Sequence, residues 1–248
     1  MRSVVIIPSR LNSLRLPQKP LISISGKTLI QRVYEQIKKC ENKIDCIVAT
    51  DSKKIYDHVK SFNGEVVMTS EKHISGTDRV NEALSLLNNS YDLIINVQGD
   101  EPFINSNTIE SILNTFKHDK ENNIKIVSVM TPIKDDQELK NPNNVKVFTD
   151  VSNNAIYFSR HPIPFKIDLN ISKAHKHVGI YAFRKKSLIE FAKLKVGELE
   201  SSEKIEALRL IENDIKIKMI NSNDTFIGID TEEDIQKAIK IFCEKGNL

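Results

Sequence analysis

Short β-branched runs alternate with stretches of helical periodicity through the first 130 residues, and few folds accept that alternation. Residues 3–7, Ser-Val-Val-Ile-Ile, read as a strand apolar on both sides. A strand of that kind belongs to a parallel sheet covered on both faces. Residues 27–40 place Leu29, Ile30, Val33 and Ile37 on one helical face. A second strand follows at 44–50, and Asp51 or Ser52 can cap a helix over 53–62. Residues 65–68 read as a short strand, and a helix reaches to about residue 87. Residues 93–97 read as a central strand, 106–118 as a helix and 126–130 as a strand. This order predicts an α/β fold with an open, mostly parallel sheet between helical layers. The second half is less regular. Strands are expected at 145–149, 155–159, 177–183 and 215–219, and helices at 186–194, 202–212 and 231–244, which makes the sheet mixed.

At 248 residues the chain is one large domain or two small ones. The strand spacing favours a single domain over 1–248 with a substrate-facing subregion. Hydrophobic residues at 40% and charged residues at 28% fit a soluble globular protein. A net charge of +3 is too small to point to nucleic acid. Three cysteines without a C-x-x-C pair suit a reducing, cytoplasmic setting. The N-terminus enters a strand at once, unlike a signal peptide, and no apolar stretch approaches the roughly 18 residues of a membrane helix.

Three polar segments stand at expected strand ends, where open α/β sheets bind ligands. The first runs over 9–19 and ends shortly before Gly26-Lys27-Thr28, the closing tripeptide of a P-loop. A P-loop needs a glycine five residues before that tripeptide, and Leu21 stands there. The eight glycines form no G-x-G-x-x-G either. An anion held by this segment must therefore meet Arg10, Arg15 and Lys19; otherwise the segment is a solvated loop. The second is Gln98-Gly99-Asp100-Glu101-Pro102, where Asp100 either faces Mg²⁺ or closes a turn. The third is "IGIDTEEDI", where Asp230 either joins a metal site or helps to cap a helix. His175-Lys176-His177 would put two imidazoles on one strand face, with no third ligand evident.

In this order the segments resemble the 3-deoxy-manno-octulosonate (Kdo) cytidylyltransferases, the CMP-Kdo synthetase family. The shared blocks are "VVIIPSRLNSLRLPQKPL", "IVATD", "GEVVMTSEKHISGTDRV", "NVQGDEP", "NPNNVKVF", "IYFSRHPIPF", "KHVGIYAFR", "EKIEALRLIE" and "GIDTEEDI", which span residues 4 to about 236. The resemblance implies a GT-A-like nucleotidyltransferase of three αβα layers. Residues 1–130 would mainly bind nucleotide, and 131–248 would bind sugar and form a homodimer. The reaction implied is CTP plus Kdo to CMP-Kdo and pyrophosphate with Mg²⁺, for lipopolysaccharide synthesis. Arg10, Arg15 and Lys19 would meet the triphosphate, and Pro8, Ser75, Gly76, Thr77 and Arg79 the cytidine and phosphates. Gln98, Arg160, His177, Tyr181 and Glu206 would face the sugar, and Asp100 and Asp230 would hold Mg²⁺. Gly26-Lys27-Thr28 would then only start the next helix. Ser9 replaces a usual alanine, Phe103 a usual leucine, and Phe165 and Phe183 frequent tyrosines.

Two other readings stand beside this one: a synthetase for a related acidic sugar such as 8-amino-Kdo, and a non-catalytic nucleotide-sugar binding module. Neither nucleic acid nor membrane insertion is expected in any of them. The loop generates a direct test. Lys19→Ala is expected to depress kcat more than it raises KM, because Lys19 would oppose charge that grows in the transition state. Lys27→Ala is expected to leave both unchanged. Initial-rate kinetics showing the reverse pattern would overturn this reading of the loop.

Overall fold

The N-terminal apolar run forms β1 (Ser3–Ser9), in which Val4, Val5, Ile6 and Ile7 are completely buried. The computed structural model describes residues 1–12, 15–42, 44–73, 75–164 and 174–244; Phe165 lies outside them. The chain divides into two compact units, Met1–Glu110 with Thr225–Leu248, and Ser111–Asp224.

In the first unit, β2 (Ser23–Ile24) and β3 (Lys27–Thr28) make a two-residue hairpin ahead of α1 (Leu29–Lys38). Lys27 and Thr28 therefore form a short strand that leads directly into the helix. Ser25 and Gly26 both have positive φ, 47° and 84°, the requirement of a tight primed hairpin turn. Thr28 is left as the N-cap, and its side chain accepts from Gln31 N. Next come β4 (Asp45–Thr50), α2 (Lys53–Ser61) capped by Ser52, β5 (Glu65–Met68), α3 (Gly76–Leu86) capped by Ser75, and β6 (Leu93–Asn96). The strands lie in the order β6-β1-β4-β5, all parallel, as the alternation predicts. Successive β1 residues face opposite sides. Ile7 lies with Ile30 of α1 around Gly99, whereas Pro8 meets Gly76 of α3, so these two helices cover opposite faces.

α4 (Ser106–His118) crosses the boundary at residue 110. The second unit holds β7 (Ile126–Pro132), the short α5 (Asp136–Lys140), β8 (Lys146–Thr149), β9 (Ala155–Ser159), β10 (His175–Arg184), α6 (Lys185–Phe191), α7 (Glu198–Glu203), α8 (Ala207–Glu212) and β11 (Lys218–Asn221). β10 runs antiparallel to β7 and β8, β8 runs antiparallel to β9, and β11 runs parallel to β7. The irregular half is thus the source of the mixed pairing. The single helix expected over 202–212 is two helices. Lys204 takes a left-handed conformation with φ 55°, which ends α7 and leaves Glu206 as the N-cap of α8.

The chain closes with α9 (Glu232–Glu244), which belongs to the first unit. Leu16, Ile24, Leu29, Ile229, Ile235, Ala238 and Phe242 form one buried cluster. This packing joins the arginine-bearing loop, through Leu16, to the strand end that precedes Asp230. Phe242 is its pivot. It stacks on Phe103 at 4.7 Å and lies under the Arg32 guanidinium at 3.8 Å. Arg32 is itself fixed by bonds to Ile24 O (2.6 Å) and Ser25 O (2.7 Å). Removal of a buried aromatic ring leaves a cavity, so Phe242→Ala is expected to cost about 3 kcal/mol in urea unfolding. A loss below about 1 kcal/mol would show that α9 is not part of the cooperative core.

Candidate active site

β1 and β6 end side by side at a cavity of about 380 Å³ in the first unit. Gly99 makes the close approach possible, because a Cβ there would stand 3.3 Å from the Pro8 carbonyl oxygen. Beyond Gly99 the chain presents Asp100. Ile229 N donates to Asp100 O at 2.9 Å, so the segment before Asp230 is bonded directly to the β6 end. Two aspartates far apart in sequence are thereby placed together.

Lys19 lies between them. Its ammonium is 2.7 Å from Asp100 Oδ2 and 2.9 Å from Asp230 Oδ1, and the Arg15 guanidinium reaches the same Asp230 oxygen at 2.9 Å. Burial pulls the Lys19 pKa down, but the charge and hydrogen bond of Asp100, joined by those of Asp230, more than offset this and raise it. For Asp230, burial pushes upward, and the bond and charge of Lys19, with Arg15, win and lower the pKa. A lowered carboxylate pKa stabilises the fold above the ordinary carboxylate range. That contribution is lost as pH falls through the lowered value.

Asp230 is also released from capping. The Asp234 carboxylate accepts from Asp230 N (3.1 Å) and Thr231 N (2.9 Å) while Thr231 Oγ1 accepts from Asp234 N (3.3 Å), so Thr231 and Asp234 cap α9 together and the Asp230 carboxylate faces the cavity. Two carboxylates converging on one ammonium form a seat for a cation. That donor set suits Mg²⁺, which binds one or two carboxylates and completes its shell with water and phosphate oxygens. Among the described residues no third His, Cys, Asp or Glu joins them as a metal ligand.

Of the residues singled out for nucleotide, Pro8, Arg10, Arg15, Lys19, Ser75, Gly76 and Arg79 all line this cavity. Ser75 and Gly76 bring the N-terminal end of α3 to its wall, the positive pole of the helix dipole. Thr77 is fully buried and accepts from Asn96 Nδ2 at 3.0 Å. Arg79 is 4% exposed, and its guanidinium is held by Asp51 Oδ2 (2.5 Å) and Thr69 Oγ1 (2.6 Å). It braces the wall from behind. Arg10 also borders an adjoining hollow of about 640 Å³ with Asp51, Lys72 and His73. Gln98, expected at the sugar, lies in the same cavity and bonds Asn96 Oδ1 at 3.3 Å.

Ser9, Pro20 and His73, which the sequence assigned to no ligand, also line the cavity, as does Gly99, whose expected part was the sharp turn before Asp100. All four stand inside or beside the quoted segments. Ser9 is the last residue of β1, and its buried hydroxyl has no hydrogen-bond partner among the described residues. His73 is paired with Glu82.

Arg160, His177, Tyr181 and Glu206 belong to the second unit. The Arg160 guanidinium donates to three main-chain carbonyls, Glu203 O (2.8 Å), Pro142 O (2.9 Å) and Lys204 O (3.4 Å). Its fork here knits loops together. His177 and Tyr181 lie on one side of β10 with ring centres 5.2 Å apart. Burial holds the His177 pKa at about 3. Burial, with the charges of Glu206 and Glu200, pushes the Tyr181 pKa well up. Both rings are therefore neutral near pH 7.

The sequence profile of the cytidylyltransferase family matches residues 4–217. A 3-deoxy-manno-octulosonate cytidylyltransferase of Christiangramia forsetii is 42% identical over 97% of this chain and 96% of its own. An 8-amino-3,8-dideoxy-manno-octulosonate cytidylyltransferase of Shewanella pealeana is 44% identical over 95% and 96%. The solved structure of a CMP:2-keto-3-deoxy-manno-octonic acid synthetase complexed with CTP superposes with a TM-score of 0.91 at 33% identity, covering 99% of this chain and 100% of that one.

The Lys19 bridge is testable without substrate. Lys19→Met leaves two carboxylates facing each other with Arg15 as their remaining partner. With allowance for their partial exposure, this is expected to cost about 1–2 kcal/mol. Excess Mg²⁺ is expected to raise the melting temperature of Lys19→Met more than that of the wild type. An identical Mg²⁺ response of the two proteins would remove the pair as a cation seat.

Proposed function

The chain belongs to the cytidylyltransferase family, alongside the 3-deoxy-manno-octulosonate cytidylyltransferases, and on that premise we propose that it joins CTP to Kdo, giving CMP-Kdo and pyrophosphate. The observation that carries this reading is the Asp100–Lys19–Asp230 cluster at the floor of a cavity walled by Arg10, Arg15 and the start of α3. Such a cavity is cationic at its rim and has a carboxylate pair at its base, which suits a triphosphate with a divalent cation.

The anomeric hydroxyl of the sugar attacks the α-phosphorus of CTP in line, and pyrophosphate leaves from the opposite side. Arg10, Arg15 and Lys19 hold the outer phosphates and oppose the charge that grows on the leaving group. Asp100 and Asp230 would hold Mg²⁺, which when bound would make the attacking hydroxyl more acidic and neutralise phosphate charge. Arg79, fixed by Asp51 and Thr69, keeps α3 in place, so the helix end meets the nucleotide without reorganisation. His177, Tyr181, Glu206 and Arg160 are assigned to the sugar. The reading extends to a homodimer that works in the cytoplasm and supplies lipopolysaccharide synthesis. Its reducing setting is supported by the free cysteines Cys40, Cys46 and Cys243.

The 44% identity to an 8-amino-Kdo enzyme supports a second reading in which the sugar carries an amine at C8. Comparison of kcat/KM for the two sugars decides between them. The primary test is pyrophosphate release from CTP or UTP with a panel of 2-keto sugar acids. CTP with Kdo is expected to be the preferred pair, because a site built for the cytosine amino group leaves its acceptors unpaired against uracil. Asp100→Asn and Asp230→Asn are each expected to lower turnover by roughly 100-fold or more. Equal kcat/KM for CTP and UTP, or near-wild-type turnover in both variants, would contradict the assignment.

A further inference from the structure

Ser128 lies in the middle of β7, between Val127 and Val129, and is completely buried. Its hydroxyl makes two contacts: Ile180 O at 2.8 Å and His177 Nε2 at 2.9 Å. A hydroxyl carries one proton, and the two partners make different demands on it. A carbonyl oxygen only accepts, whereas an imidazole nitrogen accepts or donates according to tautomer. The serine hydroxyl donates to Ile180 O. β10 bulges between Val178 and Tyr181, and three steps along it answer one step of β7, from Val129 to Ser128. Ile180 thus falls out of the pairing register with β7. The serine proton goes to Ile180 O, and the serine oxygen is then an acceptor for the ring. His177 Nε2 must bear a hydrogen.

We propose that Ser128 is a positioning residue that fixes His177 as the neutral Nε2–H tautomer, so that the ring presents Nδ1 as a bare acceptor to a hydroxyl group of the sugar acid and offers nothing to its carboxylate. The proposal rests on the assignment of His177 to the sugar. The ring is also fixed sideways. Phe158 meets it edge-on at 5.0 Å and Tyr181 flanks it at 5.2 Å. Desolvation of the partly buried ring lowers its pKa to about 3, which keeps the second proton off it near neutral pH. A charged imidazolium would draw the sugar carboxylate towards itself. A neutral ring with its lone pair outward disfavours a carboxylate and requires a donor, which gives the bound sugar one orientation. The carboxylate must then be met elsewhere.

The tautomer can be read directly by long-range ¹H–¹⁵N correlation NMR of histidine-labelled full-length protein. Wild type is expected to show one ring as the neutral Nε2–H form at neutral pH and still at pH 5, assigned by its loss in His177→Gln. Ser128→Ala is expected to shift that ring to a mixture of tautomers and to raise KM for Kdo roughly 3–10-fold, the scale of one oriented hydrogen bond, with KM for CTP unchanged. Ser128→Thr, which keeps the hydroxyl, is expected to restore both. A wild-type ring in the Nδ1–H or doubly protonated form overturns the proposal. So does a Ser128→Ala protein whose tautomer and KM for Kdo match the wild type. A wild-type protein that shows the Nε2–H ring but releases no pyrophosphate with any 2-keto sugar acid overturns the sugar assignment and leaves the tautomer in place.

Discussion

One ammonium between two carboxylates organises the first unit. Lys19 lies within 3 Å of both Asp100 and Asp230, and Arg15 adds a second cation to Asp230. Partly buried like charges repel, and the ammonium between the two carboxylates offsets that repulsion. The charge balance fixes what the cavity can accept. A ligand that draws Lys19 and Arg15 away must leave another cation with the aspartates, and a triphosphate that arrives with a divalent metal meets both conditions. On the proposed function, the electrostatics that hold the resting site together would also select the substrate class.

The cluster exists only because apolar packing brings its members together. Leu16 anchors the loop that carries Arg15 and Lys19, and Ile229 anchors the strand end that carries Asp230; both lie in the cluster built on Phe242. The bond from Ile229 N to Asp100 O sets the spacing of the two aspartates. Thr231 and Asp234 share the capping of α9, which leaves the Asp230 carboxylate for the cavity. In the second unit the recognition chemistry is of another kind. His177 and Tyr181 are kept neutral by burial, so on the proposed sugar assignment they would select through the direction of hydrogen bonds.

Much of this was legible in the sequence, for physical reasons. β1, β5 and β9 read clearly because a buried parallel strand or a sharply bounded apolar run has few alternatives, and α2 because Ser52 marks its start. Residues 69–79 read as a loop, whereas Ser75 caps α3 and the helix begins at Gly76. Arg10, Arg15, Lys19, Asp100 and Asp230 could be singled out as charged groups at strand ends, and the family resemblance sorted them into roles. The meeting of Asp100 with Asp230 was not legible, since register between distant segments leaves no trace in spacing. The hairpin at Lys27–Thr28 escaped because two-residue strands have no periodicity. The break at Lys204 escaped because lysine seldom adopts a left-handed conformation, and tertiary packing imposes it. Ser128 gave no signal at all: a single serine between two valines looks like tolerated polarity until the bulge in β10 shows what its proton must do.

The central claim is that Asp100 and Asp230 form one cation seat that works together with bound nucleotide. The most direct measurement is the loss of the free Mn²⁺ electron paramagnetic resonance signal as full-length protein is titrated in the presence of a non-hydrolysable CTP analogue. Mn²⁺ here stands in for Mg²⁺. The structure predicts nucleotide-dependent binding that weakens roughly tenfold or more in Asp100→Asn and in Asp230→Asn alike, and that survives in Asp234→Asn. Binding of equal strength in the wild type and in both Asp100→Asn and Asp230→Asn would contradict it.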